Sequence, residues 1–223
     1  MINVVNTLEV LVAQTGGELA EIERFRYSIY IEEMHKPLPW ANHDEKRLPD
    51  PDDGGALQLY IREVGEVAAC LRIHFGNAPA AILDRLGVTE LVSSLPGPVV
   101  YLSKMMVGGS LRGAQHSKAL MRHGFQIGVE RGFHVALCNS RPELVPYYRK
   151  IGLYRFGEPF IDECVGRQVP MVMLGHDAEH FERVGSFLAP LARQYSRDPI
   201  MLRELQHEFL VKRYPIRELR DAA

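Results

Sequence analysis

The stretch Tyr101–Gly132, YLSKMMVGGSLRGAQHSKALMRHGFQIGVERG, decides how this chain reads. It grows out of the apolar run Val99–Val107, too short for a core helix and rich enough in Val and Met for a buried strand. Gly108-Gly109-Ser110 breaks that pattern, and Arg112-Gly113 leads into a helix. Ser117, Leu120, Met121, Gly124, Ile127 and Gly128 fall on one face of it, while Lys118, Arg122, Gln126 and Glu130, spaced by fours, form the wet side. A buried strand feeding a glycine turn and a helix start suits anion binding, because free backbone N–H groups converge there with the positive end of the helix dipole. The same spacing also fits an ordinary strand–turn–helix of an α/β core.

Composition narrows the class. The 223 residues can hold one sizeable core with an appendage. Hydrophobic residues at 46% and charged residues at 24% are ordinary for a globular protein, and a net charge of −2 gives no support for nucleic-acid binding. Cys70, Cys138 and Cys164 are widely spaced and form no C-x-x-C pair, so neither a disulfide framework nor a metal site is indicated. The N-terminus MINVVNTLEVLVAQ lacks the basic region of a secretory signal, and no apolar run approaches membrane-spanning length. The expected setting is cytoplasmic, as a monomer or homodimer.

Working outward, Thr7–Gln14 predicts a first strand stopped at Gly16-Gly17, and Glu18–Glu33 predicts a helix with Ile22, Ile29 and Tyr30 in line. Arg26 sits on that apolar line and must find an anionic or carbonyl partner if buried, in a structural ion pair or in a substrate site. His35–Gly55 is a long proline-rich loop holding an expected exposed Trp40 and the acidic pair Asp50 and Asp53. Ala56–Glu63 and Glu66–Phe75 predict a hairpin turning at Val64-Gly65, with Cys70, Arg72 and His74 on one face of its second strand. Residues 79–94 predict one or two short helices. Phe133–Cys138 predicts a strand, Tyr154–Asp162 and Gln168–Leu174 two closing strands, and Phe181–Tyr195 and Asp198–Lys212 helices.

Two motifs in order carry a resemblance. SLRGAQHSKALM resembles the acyl-carrier loop of the GNAT N-acyltransferases, Arg-Gly-x-Gly-x-Gly/Ala before an Ala-Leu helix. Asn139 followed by Pro-Tyr-Tyr148-Arg-Lys-Ile-Gly152-Leu resembles that family's second signature. Over roughly residues 5–175 the resemblance implies an α/β (α+β) GNAT fold. That is a central mixed, mostly antiparallel twisted sheet, splayed between its fourth and fifth strands, with helices on both faces. Residues 1–175 would form this domain, and 176–223 a helical extension packed on it.

The front half carries a narrower resemblance. Arg26, Trp40, Asp50-x-x-Asp53, Arg72 and Leu102-Ser103-Lys104 are similar in order and spacing to the acyl-homoserine-lactone synthases and the long-chain N-acyl amino acid synthases. It implies that the acidic pair, the arginines, Trp40 and Lys104 build an acceptor site. Two departures stand out: Tyr101 replaces a glutamate, and Lys104 replaces an arginine, keeping charge but losing the bidentate fork.

The implied reaction moves an acyl group from a pantetheine thioester directly to the amine of a small molecule, with no tightly bound cofactor. The implied partner is an acyl-carrier protein, with acyl-CoA as the other donor. Strand backbone around Met106 and Val107, the loop residues Arg112, Gly113, Ala114, Gln115, His116, Ser117 and Lys118, and Asn139 would hold the donor. Gln115 and Ser117 stand where acetyl-CoA enzymes carry glycines, which favours a carrier-protein donor. Arg112, Lys118, Arg122 and His123 could attract its phosphate or acidic surface. Tyr148 would protonate the departing sulfur, a task suited to a phenol with pKa near 10. For the base, Tyr101, a water ordered by Ser103, Asp50, Asp53 and His74 all remain open, and Cys138 reads as a small core residue rather than a nucleophile. A conventional acetyl-CoA-dependent acetyltransferase and a non-catalytic acyl-binding module are the competing expectations.

Overall fold

A computed structural model describes residues 8–113, 115–196 and 198–213. Capping begins the first helix. The Thr15 hydroxyl accepts from the Glu18 N–H, and the Glu18 carboxylate accepts from Thr15 and Gln14, so α1 (Gly16–Tyr27) starts at the glycines rather than after them. The preceding strand shrinks accordingly. β1 covers Leu11–Val12, pairing with Tyr60 and Leu59, in place of the expected Thr7–Gln14, of which Thr7 lies outside the described residues. After Tyr27 the helix continues as a π-helical turn, Ser28–Glu33.

The hairpin β2 (Leu57–Glu63) and β3 (Glu66–Phe75) turns at Val64 and Gly65, with φ of 51° and 87°. Two successive positive φ values give the turn whose twist matches the flanking strands. A bulge between Ile61 and Arg62 shifts the register by one: Arg62 faces Val67, yet Ile61 faces Ala69. Beyond it Leu59 meets Leu71, Tyr60 meets Cys70, and Gln58 meets Arg72. Next come α2 (Ala80–Arg85), α3 (Thr89–Ser94), β4 (Val100–Val107), a 3-10 turn at Gly109–Leu111, α4 (His116–Glu130) and β5 (Val135–Ser140). α5 (Val145–Ile151), β6 (Tyr154–Arg155), β7 (Phe160–Asp162) and β8 (Gly166–Leu174) follow. The chain then runs through α6 (Ala178–Arg183), α7 (Ala189–Tyr195) and α8 (Pro199–Gln206), which ends in a π-helical turn, His207–Lys212.

The expected strand Tyr154–Asp162 is divided, because Gly157 takes a left-handed φ of 63°. The expected helix Phe181–Tyr195 is likewise broken into α6 and α7 at Gly185 (φ 65°), with Pro190 in the first turn of α7.

The eight strands order as β1-β2-β3-β4-β5-β8-β6, with β7 also on β8. The ladder of β4 with β5 is parallel, whereas β1–β2, β2–β3 and the pairs on β8 are antiparallel. This is the mixed, mostly antiparallel sheet expected. The parallel ladder runs from Val100–Ala136 to Leu102–Cys138, although β4 continues to Val107. Two residues on, Lys104 takes φ of 54°, which a regular ladder does not hold.

The described residues fall into two compact units. The first comprises residues up to Ile73 together with Ser103–Gly124, and the second His74–Leu102 with residues from Phe125 onward. In the first unit helices cover both sheet faces. α4 lies so close on one face that a Cβ at Gly124 would sit 2.8 Å from Ile73 Cδ1. On the other, Ile22 and Ile29 cluster with Tyr60, Cys70 and Met106. In the second, Leu205 and Phe209 from the C-terminal helical segment join Val135, Leu137, Val172 and Leu174 in one core. That segment is also tied by a polar knot. Tyr154 donates to Asp177 Oδ2 at 2.7 Å, Gln206 donates to the same oxygen at 3.0 Å, and the His180 ring stacks on Tyr154 at 3.8 Å.

Two outcomes test this packing. Gly152 ends α5 at φ 119°, and a Cβ there would lie 2.5 Å from the Phe181 ring. Gly152→Ala is expected to destabilise the protein by about 2–4 kcal/mol in urea denaturation, from left-handed strain plus overpacking. Burial lowers the pKa of His180 to about 4. As pH falls the unfolded chain takes the proton first, near 6.5, so stability is level above that value and declines from there to about 4. Thermal midpoints recorded between about pH 8 and 4 should show that decline, and His180→Phe should make it shallower, buried His176 supplying a decline of the same sign.

Candidate active site

In the first unit the sequence brings four chain segments to one buried charge network. Arg26, 1% exposed on α1, donates from Nη1 to both oxygens of Asp53 at 2.9 and 2.8 Å, and from Nη2 to Gln58 Oε1. Gln58 Nε2 donates to Asp53 Oδ1 at 2.8 Å. Across the hairpin Arg72, 3% exposed, donates from Nη1 to Asp50 Oδ1 at 2.7 Å and Asp53 Oδ1 at 3.1 Å, and from Nε to Ser103 Oγ at 2.9 Å. Lys104 Nζ sits 2.7 Å from Asp50 Oδ2 and 4.9 Å above the centre of the Tyr30 ring.

Local structure fixes the two carboxylates. Asp50 caps the 3-10 turn Pro51–Asp53 by accepting from the Asp52 N–H, and Asp53 reaches back to the Asp50 N–H. Burial alone would raise the pKa of Asp50. Lys104 and Arg72 outweigh it and hold the carboxyl well below the usual range. A carboxylate so held accepts protons poorly, so Asp50 frames the site electrostatically. Ser103 accepts the Arg72 bond with its hydroxyl oxygen.

The remaining sequence-predicted residues distribute as follows. Trp40 is half-buried rather than exposed, its indole N–H enclosed without a hydrogen-bond partner among the described residues. The Met106 side chain is core, and the Val107 carbonyl accepts from Arg112 Nε at 3.3 Å. The Arg112 guanidinium is otherwise taken by Glu33, at 2.6 and 2.7 Å. Gly113 takes φ of 83°, Gln115 and Lys118 are exposed, Ser117 is half-buried, and Ala114 lies outside the described residues. His116 is buried and bonds Glu63 through Nε2 at 3.0 Å, joining the loop to the hairpin.

In the second unit Asn139 Nδ2 donates to the buried Tyr101 hydroxyl at 3.4 Å, with the His74 ring 6.1 Å from that of Tyr101. Tyr148 is buried on α5, edge-on to Tyr147 at 5.7 Å. Cys138 is 2% exposed and its thiol is pushed up to about 12 by burial, so it supplies no thiolate.

Sequence reasoning missed Gln58 and the contacts of Tyr30 and Glu33. Gln58 faces Arg72 because of the bulge. Without it, the turn at Val64-Gly65 would set Gln58 against Leu71. No motif marks a bulge of this kind.

No protein-family model and no curated protein matches the sequence. Solved structures match the fold. TofI, in a ternary complex with an inhibitor and MTA, is 20% identical over 80% of this chain and 97% of its own, with a TM-score of 0.61. BjaI, a CoA-dependent acyl-homoserine lactone synthase solved with SAM and isopentyl-CoA, is 15% identical over 84% and 99%, at 0.60. FeeM, an N-acyl amino acid synthase from uncultured soil microbes, is 11% identical over 82% and 97%, also at 0.60. The fold is therefore the GNAT fold, which these solved structures share.

Removing one carboxylate should expose the tension in the network. Asp50→Asn leaves Arg72 and Lys104 enclosed with too little negative charge and is expected to cost about 3 kcal/mol in denaturant titration. Asp50→Asn combined with Lys104→Met should recover some of that loss.

Proposed function

We propose that this chain is an N-acyltransferase. It moves an acyl group from a pantetheine thioester, on an acyl-carrier protein or CoA, to the amine of an amino acid or related small molecule. The observation that carries this reading is the buried network of Arg26, Arg72, Lys104, Asp50 and Asp53 on a GNAT fold. Three cations meet two carboxylates, with Asp52 at the rim 3.9 Å from Arg72 Nη2. A guanidinium and an ammonium, Arg72 and Lys104, that share Asp50 suit an acceptor that brings a carboxylate beside its amine.

In the transfer the amine nitrogen, freed of its extra proton, attacks the thioester carbonyl. The C–N bond forms, the C–S bond breaks, nitrogen gives up a proton and sulfur gains one. No covalent enzyme intermediate is required, which agrees with a neutral, enclosed Cys138. On this reading the β4 backbone beyond Lys104 and the turn from Gly108 to Lys118 hold the pantetheine arm, Asn139 contributes to donor binding, and Tyr148 protonates the departing thiolate. Asp50 and Asp53 keep Arg72 and Lys104 aimed at the acceptor. Ser103 or Tyr101, rather than Asp50, helps relay the amine's proton through water. Trp40 lines the acceptor side of the loop.

Mass spectrometry of small-molecule products after expression in a bacterium tests the reading. New N-acylated amines are expected with wild type, reduced about tenfold or more with Arg112→Ala, and their masses name acyl chain and acceptor. No product, combined with tight binding of acetyl-CoA, would replace this reading with a conventional acetyltransferase. No product and no donor binding would leave a non-catalytic module.

A further inference from the structure

The Arg112 guanidinium already holds an anion. Its Nη1 and Nη2 meet Oε1 and Oε2 of Glu33 at 2.6 and 2.7 Å, fork against fork. Its Nε donates to the Val107 carbonyl, which sets the guanidinium plane against the end of β4. Glu33 ends the π-helical turn after α1, 79 residues away in sequence. Its neighbour Glu32 pairs elsewhere, with Lys46 at 2.9 Å. The two side chains of the Arg112 pair are 49% and 41% exposed, so a solute can reach them. The helix itself is anchored by other residues, the buried Ile22, Arg26, Tyr27 and Ile29. A carboxylate and a phosphate offer a guanidinium the same pair of oxygens, and the phosphate brings more charge.

We propose that the Glu33 carboxylate occupies the place of the donor's phosphate on Arg112, so that donor binding exchanges one fork for the other. Glu33 thereby sets the apparent affinity for the donor, an inference that rests on reading Arg112 as a donor residue. Glu33 is an internal competitor: every phosphate-bearing donor must displace it, whereas a donor without phosphate leaves it in place.

Calorimetric titration of the full chain tests this with a medium-chain acyl-CoA, the same acyl group on a carrier protein, and the same acyl group on pantetheine without phosphate. Glu33→Gln keeps size and removes charge. It should tighten the phosphate-bearing donors by about two- to fivefold, the range of an exposed ion pair. It should leave the phosphate-free donor unchanged, and the gain should vanish in the Arg112→Ala background. A response confined to the carrier or to CoA supports the exchange and names that donor as the source of the phosphate. Unchanged or weaker donor binding by Glu33→Gln, while wild type binds, would make Glu33 a support for Arg112 and overturn the exchange, leaving the transferase reading intact. Equal tightening of all three donors would overturn it too, since phosphate would not be what competes. If wild type binds none of the three, the donor role of Arg112 falls and the exchange with it.

Discussion

Two arginines with side chains 1% and 4% exposed cannot be left without counter-charge, and the first unit is arranged around meeting that demand. Arg26 comes from a helix and Arg72 from a strand; Asp50 and Asp53 come from a loop that buried Leu38 and Leu48, and Arg47 on Glu23, also hold in place. Each carboxylate serves twice. Asp50 is the N-cap of its own turn and the partner of Arg72 and Lys104, and Asp53 receives Arg26, Gln58 and Arg72 together. The acidic end of the loop is thus fixed by the arginines, and α1 is pinned through Arg26 to the segment that follows it.

Much of this is legible in the sequence because charge and apolar patterning are local. The hairpin, its turn at Val64-Gly65, the strand before the glycine turn and the polarity of α4 all follow from periodicities of two and 3.6. Arg26 on an apolar helix line calls for an anionic or carbonyl partner, and Asp53 is that partner. What periodicity does not carry is which groups meet. Arg112, by its position a basic residue at a helix start, is forked by a glutamate that reads as the polar end of a helix. Tyr30, by spacing one more apolar residue on the first helix, lies beneath the Lys104 ammonium. Both contacts join segments more than 70 residues apart, and only the folded chain closes that distance.

The boundaries that differ from expectation share a cause. Gly16-Gly17, Gly157 and Gly185 all carry the same composition signal, yet a glycine can open a helix, split a strand or separate one helix from the next according to its neighbours. At the first site the capping box of Thr15 and Glu18 decides the matter. At Gly157 and Gly185 the left-handed backbone does.

The hairpin bulge has a consequence for how such a chain can vary. Side chains alternate across a strand, so the single extra residue on β3 is what sends Arg72 toward the carboxylates and leaves Leu71 and Ile73 beneath α4. Between Val67 and Arg72 the chain therefore does not tolerate a change in the number of residues. Loss of one would hand the charged face to the helix and the apolar face to Asp50 and Asp53. Length is a property held in that segment alongside its chemistry, and in related chains insertions should gather at the solvent-exposed tip around Val64.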